Sequence, residues 1–148
     1  MNTFRGFLSL LILLIIAGCS STSILKHALI NPLSQQENDY LAKADQQPLT
    51  FRVPKTEEKE IWSRAQRFLT TFQGCPISLV TDVVIQTDPY CSSYGYSLNK
   101  SAEPDSLLLI VKCTSKGWLH ESDAEVNAHI FAYAIKSGVF PPTDRLVQ

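Results

Sequence analysis

Apolar and polar residues alternate between residues 49 and 53 of this chain. Leu49, Phe51 and Val53 are separated by polar side chains. A period of two residues is typical of a strand with one buried face. The pattern therefore predicts a strand that ends at Pro54, because proline cannot donate a ladder hydrogen bond.

Two later segments have the period of a helix. The first follows Thr56, a candidate N-cap, and stops before Gly74. The second runs from Ser122, another candidate N-cap, to Lys136, and it stops at Gly138. Each predicted helix has one apolar face, formed by Ile61, Ala65, Phe68, Leu69 and Phe72 in the first and by Ala124, Ala128, Phe131 and Ile135 in the second.

Three strand-like segments lie between the two helices, at residues 77–86, 94–99 and 107–111. The third is apolar at every position, as in a central strand that is covered on both faces. The connections have turn chemistry and are short, so the strands should form an antiparallel meander. The order β-α-β-β-β-α predicts an α+β fold class, an antiparallel sheet of three to four strands with two helices packed on one face.

An export signal is indicated at the N-terminus. Arg5 is followed by residues 7–16, which are apolar except for Ser9, and then by two small residues and a cysteine. This run is shorter than the ~18 apolar residues expected of a transmembrane helix. The segment Ile16-Ala17-Gly18-Cys19 resembles the lipobox of bacterial lipoproteins. An ordinary cleaved signal with an incidental cysteine, or a buried apolar helix, is the alternative.

The lipobox resemblance implies that Cys19 is lipidated on its sulfur, becomes the new N-terminus after cleavage and is acylated on its amine. Such lipoproteins commonly carry Asp after the cysteine when they stay in the inner membrane, whereas this chain has Ser20. The resemblance therefore favours the outer membrane, with the domain in the periplasm or at the cell surface. The expected organisation is a signal peptide at residues 1–18, a lipidated cysteine and tether at 19–47, a single α+β domain at 48–140 and a C-terminal tail at 141–148.

Charge argues against binding to nucleic acid. The chain has 13 basic and 14 acidic side chains, and cleavage after residue 18 removes only Arg5. A net charge near −2 in the mature chain gives no electrostatic reason for binding nucleic acid, and none for a polybasic grip on anionic lipid.

Export would place Cys75, Cys91 and Cys113 in an oxidising compartment. If residues 94–99 and 106–112 form a hairpin, paired positions sum to roughly 205, which puts Cys91 within about two residues of the partner of Cys113. This register predicts a Cys91–Cys113 disulfide and leaves Cys75 as a free buried thiol. Three reduced cysteines, or an intermolecular bridge through the odd thiol, are the open alternatives.

Aromatic residues give the strongest indication of recognition. Tyr90, Tyr94 and Tyr96 cluster among serines and a glycine, and Trp118 follows the last strand. Tyrosines on a turn form a rigid amphipathic contact surface. These four residues are the predicted partner-binding surface, with the alternative that Tyr94 and Tyr96 face the core of the sheet.

The sequence contains no complete catalytic motif. His120 and Glu121 begin like the H-E-x-x-H motif of zinc peptidases, but the second histidine is missing and His129 is nine residues away from His120. We therefore expect no catalytic residue, metal or cofactor. The expected function is a non-catalytic, lipid-anchored module of the cell envelope that binds another envelope or secreted protein, for example as an inhibitor or immunity protein. A lipid-anchored periplasmic hydrolase, or a small-ligand binder with a cavity between sheet and helices, is the alternative.

Overall fold

A computed structural model describes residues 32–73, 76–88, 93–116 and 121–147, so the predicted signal, lipobox and most of the tether lie outside it. The residues from Ser34 onward belong to one unit. Its elements, in chain order, are helix α1 (Gln35–Asp45), strand β1 (Thr50–Pro54), a 3-10 turn (Lys55–Glu57), helix α2 (Glu58–Phe72), strands β2 (Ile77–Val80), β3 (Val84–Thr87), β4 (Tyr94–Ala102) and β5 (Ser106–Ser115), helix α3 (Glu121–Ser137) and a closing 3-10 turn (Asp144–Val147).

The strands form one antiparallel sheet in the order β1-β5-β4-β3-β2. The predicted α+β class with an antiparallel sheet is confirmed. The described residues contain five strands and three helices, more than the predicted three to four strands and two helices. Among these residues, no helix combines the length and apolar character that a membrane crossing requires.

One additional strand arises because residues 77–86 fold as a hairpin and not as a single strand. The Thr81 hydroxyl accepts hydrogen bonds from the backbone N–H groups of Val83 at 3.2 Å and Val84 at 3.0 Å. A threonine hydroxyl that bonds the backbone two and three residues ahead stabilises a turn. This local turn separates β2 from β3 inside an apolar segment.

The additional helix, α1, lies in the segment expected to be a tether. Its N-terminus has a capping box formed by Ser34 and Glu37. Tyr40 and Ala44 are buried, and α1 packs against α3. With so few buried apolar positions, the helix has a weak hydrophobic pattern and its sequence resembles that of a linker.

The C-terminal segment also belongs to this unit. Leu146 and Val147 in the closing 3-10 turn are buried. Thr143 donates a hydrogen bond of 2.6 Å to the Glu37 carboxylate, and Arg145 forms an ion pair with the same group. The domain therefore extends beyond the expected boundaries at residues 48 and 140 on both sides.

The core lies between the sheet and helices α2 and α3. Its centre is aromatic: the Phe68 and Phe131 ring centroids are 4.9 Å apart, and Tyr96 and Phe131 are 5.7 Å apart. Burial alternates along β5, where Leu107, Leu109 and Val111 are buried and the intervening Leu108 and Ile110 are half-buried. The side chains of this strand therefore alternate between buried and half-buried among the described residues, so the expectation of equal burial on both faces was wrong.

Candidate functional site

The structure tests only part of the predicted partner-binding surface. Tyr94 and Tyr96 are 8 % and 1 % exposed and lie on the core face of β4, so their assignment to a binding surface was wrong. Burial raises the pKa of Tyr96 above its ordinary value, as expected for a phenol kept from water. Cys19, Tyr90, Cys91 and Trp118 lie outside the described residues.

Cys113 has a free thiol, so the predicted bridge to Cys91 is not formed in this structure. The cross-strand neighbour of Cys113 is Tyr96. The predicted register was shifted because β4 continues to Ala102 and β5 begins at Ser106, which leaves a tighter turn than the sequence suggested. Burial raises the pKa of the Cys113 thiol to about 12, and a thiol of this kind is a poor nucleophile near neutral pH.

His129 has a structural role. Its Nδ1 atom is 2.8 Å from the backbone oxygen of Gln47. Because a carbonyl oxygen can only accept, Nδ1 carries the proton and the ring ties α3 to the segment before β1. Within the described ranges, no group of three His, Cys, Asp or Glu side chains is arranged to hold a metal ion.

The most conspicuous surface is the free edge of β2. Among the described residues, four large hydrophobic side chains are exposed, and three of them belong to the β2–β3 hairpin: Leu79 is 44 %, Val80 50 % and Val83 53 % exposed. β2 is the last strand of the sheet, so its outer edge has no neighbouring strand among the described residues. These three side chains and that backbone edge are named the β2 edge.

Backbone groups of the β2 edge point away from the sheet. The N–H of Thr81 donates to the Val84 oxygen at 2.8 Å, which directs Thr81 toward β3. Successive residues of a strand direct their backbone groups to opposite sides, so the N–H and C=O of Val80 face outward. The β2 edge thus presents apolar side chains beside a backbone group that can pair with another strand.

The opposite edge strand, β1, has features that discourage such pairing. Pro48 precedes β1, Pro54 is its last residue, and Arg52 in its middle carries a charge. Proline and charged side chains on edge strands are common protections against edge-to-edge association. β2 has no charged residue between Ile77 and Val80. The two edges of the sheet therefore differ in how strongly their sequences discourage pairing with another strand.

A polar wall adjoins the β2 edge. Lys100 forms an ion pair with Glu58, and its ammonium lies 4.7 Å from the centroid of the Trp62 ring. A shallow cavity of about 340 Å³ is lined by these three residues and by Asp82 of the hairpin turn. The side chain of Lys100 is only 10 % exposed, and its ion pair with Glu58 and its contact with the Trp62 ring hold it in place. Charged and aromatic groups therefore lie beside the turn that connects β2 to β3.

The sequence contained one signal for this surface. The apolar pairs Leu79-Val80 and Val83-Val84 flank Thr81-Asp82, a dipeptide with turn chemistry. Apolar neighbours at both parities cannot all face one core, so some of them had to be exposed in a sheet covered on one side. No known protein family, curated protein or solved structure matches this chain.

Proposed function

We propose that this chain is a non-catalytic, lipid-anchored protein of the cell envelope whose α+β domain binds another envelope or secreted protein. The observation that carries the proposal is the exposure of Leu79, Val80 and Val83 on the β2–β3 hairpin, whose strand β2 ends the sheet. Exposed apolar patches on a folded domain mark contact sites, and an open strand edge adds backbone hydrogen bonds. The partner supplies an extended strand that pairs with β2.

Anchoring through Cys19 is the second part of the proposal and rests on the lipobox sequence. Each buried methylene of an acyl chain contributes roughly 0.8 kcal/mol, so two or three chains hold a protein firmly on a bilayer. In cells fed an alkyne-tagged fatty acid, the chain should take up the label. Cys19→Ser should abolish labelling, whereas the matched Cys75→Ser change should leave it intact. Labelling that survives in Cys19→Ser would rule out this anchor.

The binding surface is tested by photo-crosslinking in intact cells. A photoreactive amino acid replaces Val80 of the full chain and, as a matched control, Val139, which is similarly exposed at 51 % but belongs to the segment after α3. We expect a discrete crosslinked product with a second protein from position 80 and none from position 139. In the variant labelled at position 80, the additional substitution Val83→Lys should abolish the crosslinked product. Equal products from both positions, or none from position 80, would contradict the proposal.

A further inference from the structure

A second open strand edge lies in β5, beyond the end of β1. The register pairs β1 only with the first half of β5, ending at Thr50 opposite Ile110. One further bond follows, from the Val111 N–H to the Leu49 oxygen at 2.8 Å. Beyond it, among the described residues, no strand continues along this side of β5.

Alternation along β5 shows which backbone groups face the β1 side of the strand. Val111 directs its N–H toward β1, whereas Lys116 donates to the Ser93 oxygen at 3.0 Å on the β4 side. Odd-numbered residues of β5 therefore direct their backbone groups toward the β1 side and even-numbered ones toward β4. The N–H and C=O of Cys113 face the position where β1 would continue.

A groove of about 450 Å³ lies between this edge and helix α3. Small apolar side chains, Ala124 and Ala128, form part of its helical wall, and Leu49 closes the end next to β1. Small residues on the helix leave room for a main chain beside β5. A groove that has a strand edge as one wall suits an extended peptide better than a compact ligand.

The helical wall is also acidic. Glu121 and Glu125 line the groove, are exposed and form no ion pair with any described residue. They are four residues apart on α3, which places them about 6 Å apart along the axis. Alternate residues of a strand are separated by roughly 6.7 Å and point to the same side. Two basic residues at alternate positions of a bound strand would therefore each meet one carboxylate.

We infer that this groove binds an extended segment of a partner protein that carries Lys or Arg at alternate positions. The segment continues the sheet beside β5 where β1 ends, pairs with the backbone of Cys113 and directs its basic side chains to Glu121 and Glu125. The inference goes beyond the proposed function, because β5 is separated from β2 by two strands and the two surfaces can be tested independently.

The first test is hydrogen exchange at single-amide resolution on the full chain in detergent. The probe is a capped eight-residue peptide that alternates lysine with valine, and the control peptide has glutamate in place of lysine. We expect the lysine peptide to slow exchange of the Cys113 amide roughly tenfold or more, since a paired amide exchanges only on opening. The amides of Lys112 and Thr114, which face β4, should not change.

The second test separates the acidic wall from general charge attraction. Glu121→Lys combined with Glu125→Lys should weaken peptide binding roughly tenfold or more, because two ion pairs become repulsive. The matched control, Asp45→Lys with Asp105→Lys, changes the net charge equally at two exposed acids outside the groove and should bind as the parent does. The peptide comparison requires no variant, so it remains valid if a charge reversal disturbs folding.

Several results would overturn the inference. If the glutamate peptide bound as tightly as the lysine peptide, the acidic wall would not select basic residues. If both charge-reversed variants lost affinity equally, binding would reflect net charge and not a specific site. Protection of the Cys113 amide in the chain alone would show that its own residues fill the groove. Protection that rises with protein concentration in the absence of peptide would assign the groove to a second copy.

Discussion

At the scale of single residues, Cys113 shows how burial determines reactivity. The pKa of its thiol rises from 9.0 to about 12 because burial disfavours the thiolate. At pH 8 this lowers the thiolate fraction roughly a thousandfold. A chain with Ser at positions 19, 75 and 91 should therefore react with an alkylating reagent about a thousandfold more slowly when folded than in urea. Similar rates in both conditions would show that the thiol is accessible and ionised.

Phe68 contacts three other aromatic rings in the core. It is fully buried, and its ring lies 4.9 Å from Phe131, 5.4 Å from Phe72 and 6.3 Å from Tyr96, measured between centroids. Phe68→Ala should lower the free energy of unfolding by about 3–5 kcal/mol in urea titrations, because it leaves a cavity among rings. Phe68→Leu keeps most of the volume and should lose about 1–2 kcal/mol. Equal losses for both changes would argue against tight packing around this ring.

At the scale of elements, the C-terminus of α3 is held by helix α2. Arg64 donates to the backbone oxygens of Ile135 at 3.1 Å and Lys136 at 3.0 Å, two carbonyls that the helix itself leaves unpaired. The helix ends at Ser137, and the next residue, Gly138, has a φ of 76°. A Cβ on Gly138 would lie 3.1 Å from the Arg64 guanidinium carbon. The backbone conformation favours glycine here, and an added Cβ would in addition require the Arg64 guanidinium to move.

Gly138→Ala should therefore destabilise the protein through two effects. The left-handed backbone accounts for about 1–2 kcal/mol, and displacement of Arg64 adds to it. In an Arg64→Ala background only the backbone contribution should remain, so a double-mutant cycle measured by urea unfolding should show coupling between the two residues. Additive losses would mean that the guanidinium adapts to the added methyl group.

Helix α1 depends on one polar cluster. The Glu37 carboxylate accepts hydrogen bonds from Arg145, Thr143 and Ser34, and the Arg145 contact is the main reason that the pKa of Glu37 lies well below its ordinary range. Arg145→Met should release the closing 3-10 turn and speed hydrogen exchange along α1. Exchange in β4 should stay unchanged, and a uniform acceleration would instead indicate global destabilisation.

At the scale of the whole molecule, stability should depend on pH at both ends of the range. A group whose pKa is lowered by folding stabilises the folded state at pH values above its pKa in the unfolded chain. The contribution of Glu37 is therefore complete above about pH 4.5 and is lost as the pH falls further. Tyr40, Tyr96 and Cys113 have pKa values raised by burial. A group whose pKa is raised by folding stabilises the folded state at pH values below its pKa in the unfolded chain. The contribution of these three groups therefore declines as the pH rises above about 9 to 10.

Urea midpoints measured from pH 3 to pH 11 should thus be highest in the interval between these limits. Glu37→Gln should lower the urea midpoint at neutral pH. It should also weaken the fall of the midpoint at acidic pH (the acid limb), because glutamine has no proton to gain. Asp105→Asn, at an exposed turn position, is the matched control and should leave the acid limb as it is. An unchanged acid limb in Glu37→Gln would mean that other carboxylates govern acid unfolding.

The sequence by itself determined the elements that have a strong local period. The apolar faces of α2 and α3 and the alternating strand β1 were predicted at positions that the structure buries, including Phe51, Val53 and Phe131. The α3 stop at Gly138 was also predicted, and its positive φ gives the reason. These features depend on neighbours within a few residues, so the order of the amino acids contains them directly.

Only the tertiary structure decided what depends on distant partners. The pairing of β1 with β5, the register that places Cys113 opposite Tyr96, and the inclusion of α1 in the domain follow from contacts between residues far apart in the chain. The sequence did not show which strands are edges, because a strand becomes an edge only through the neighbours it lacks. The β2 edge and the groove beside β5 are therefore properties of the folded sheet.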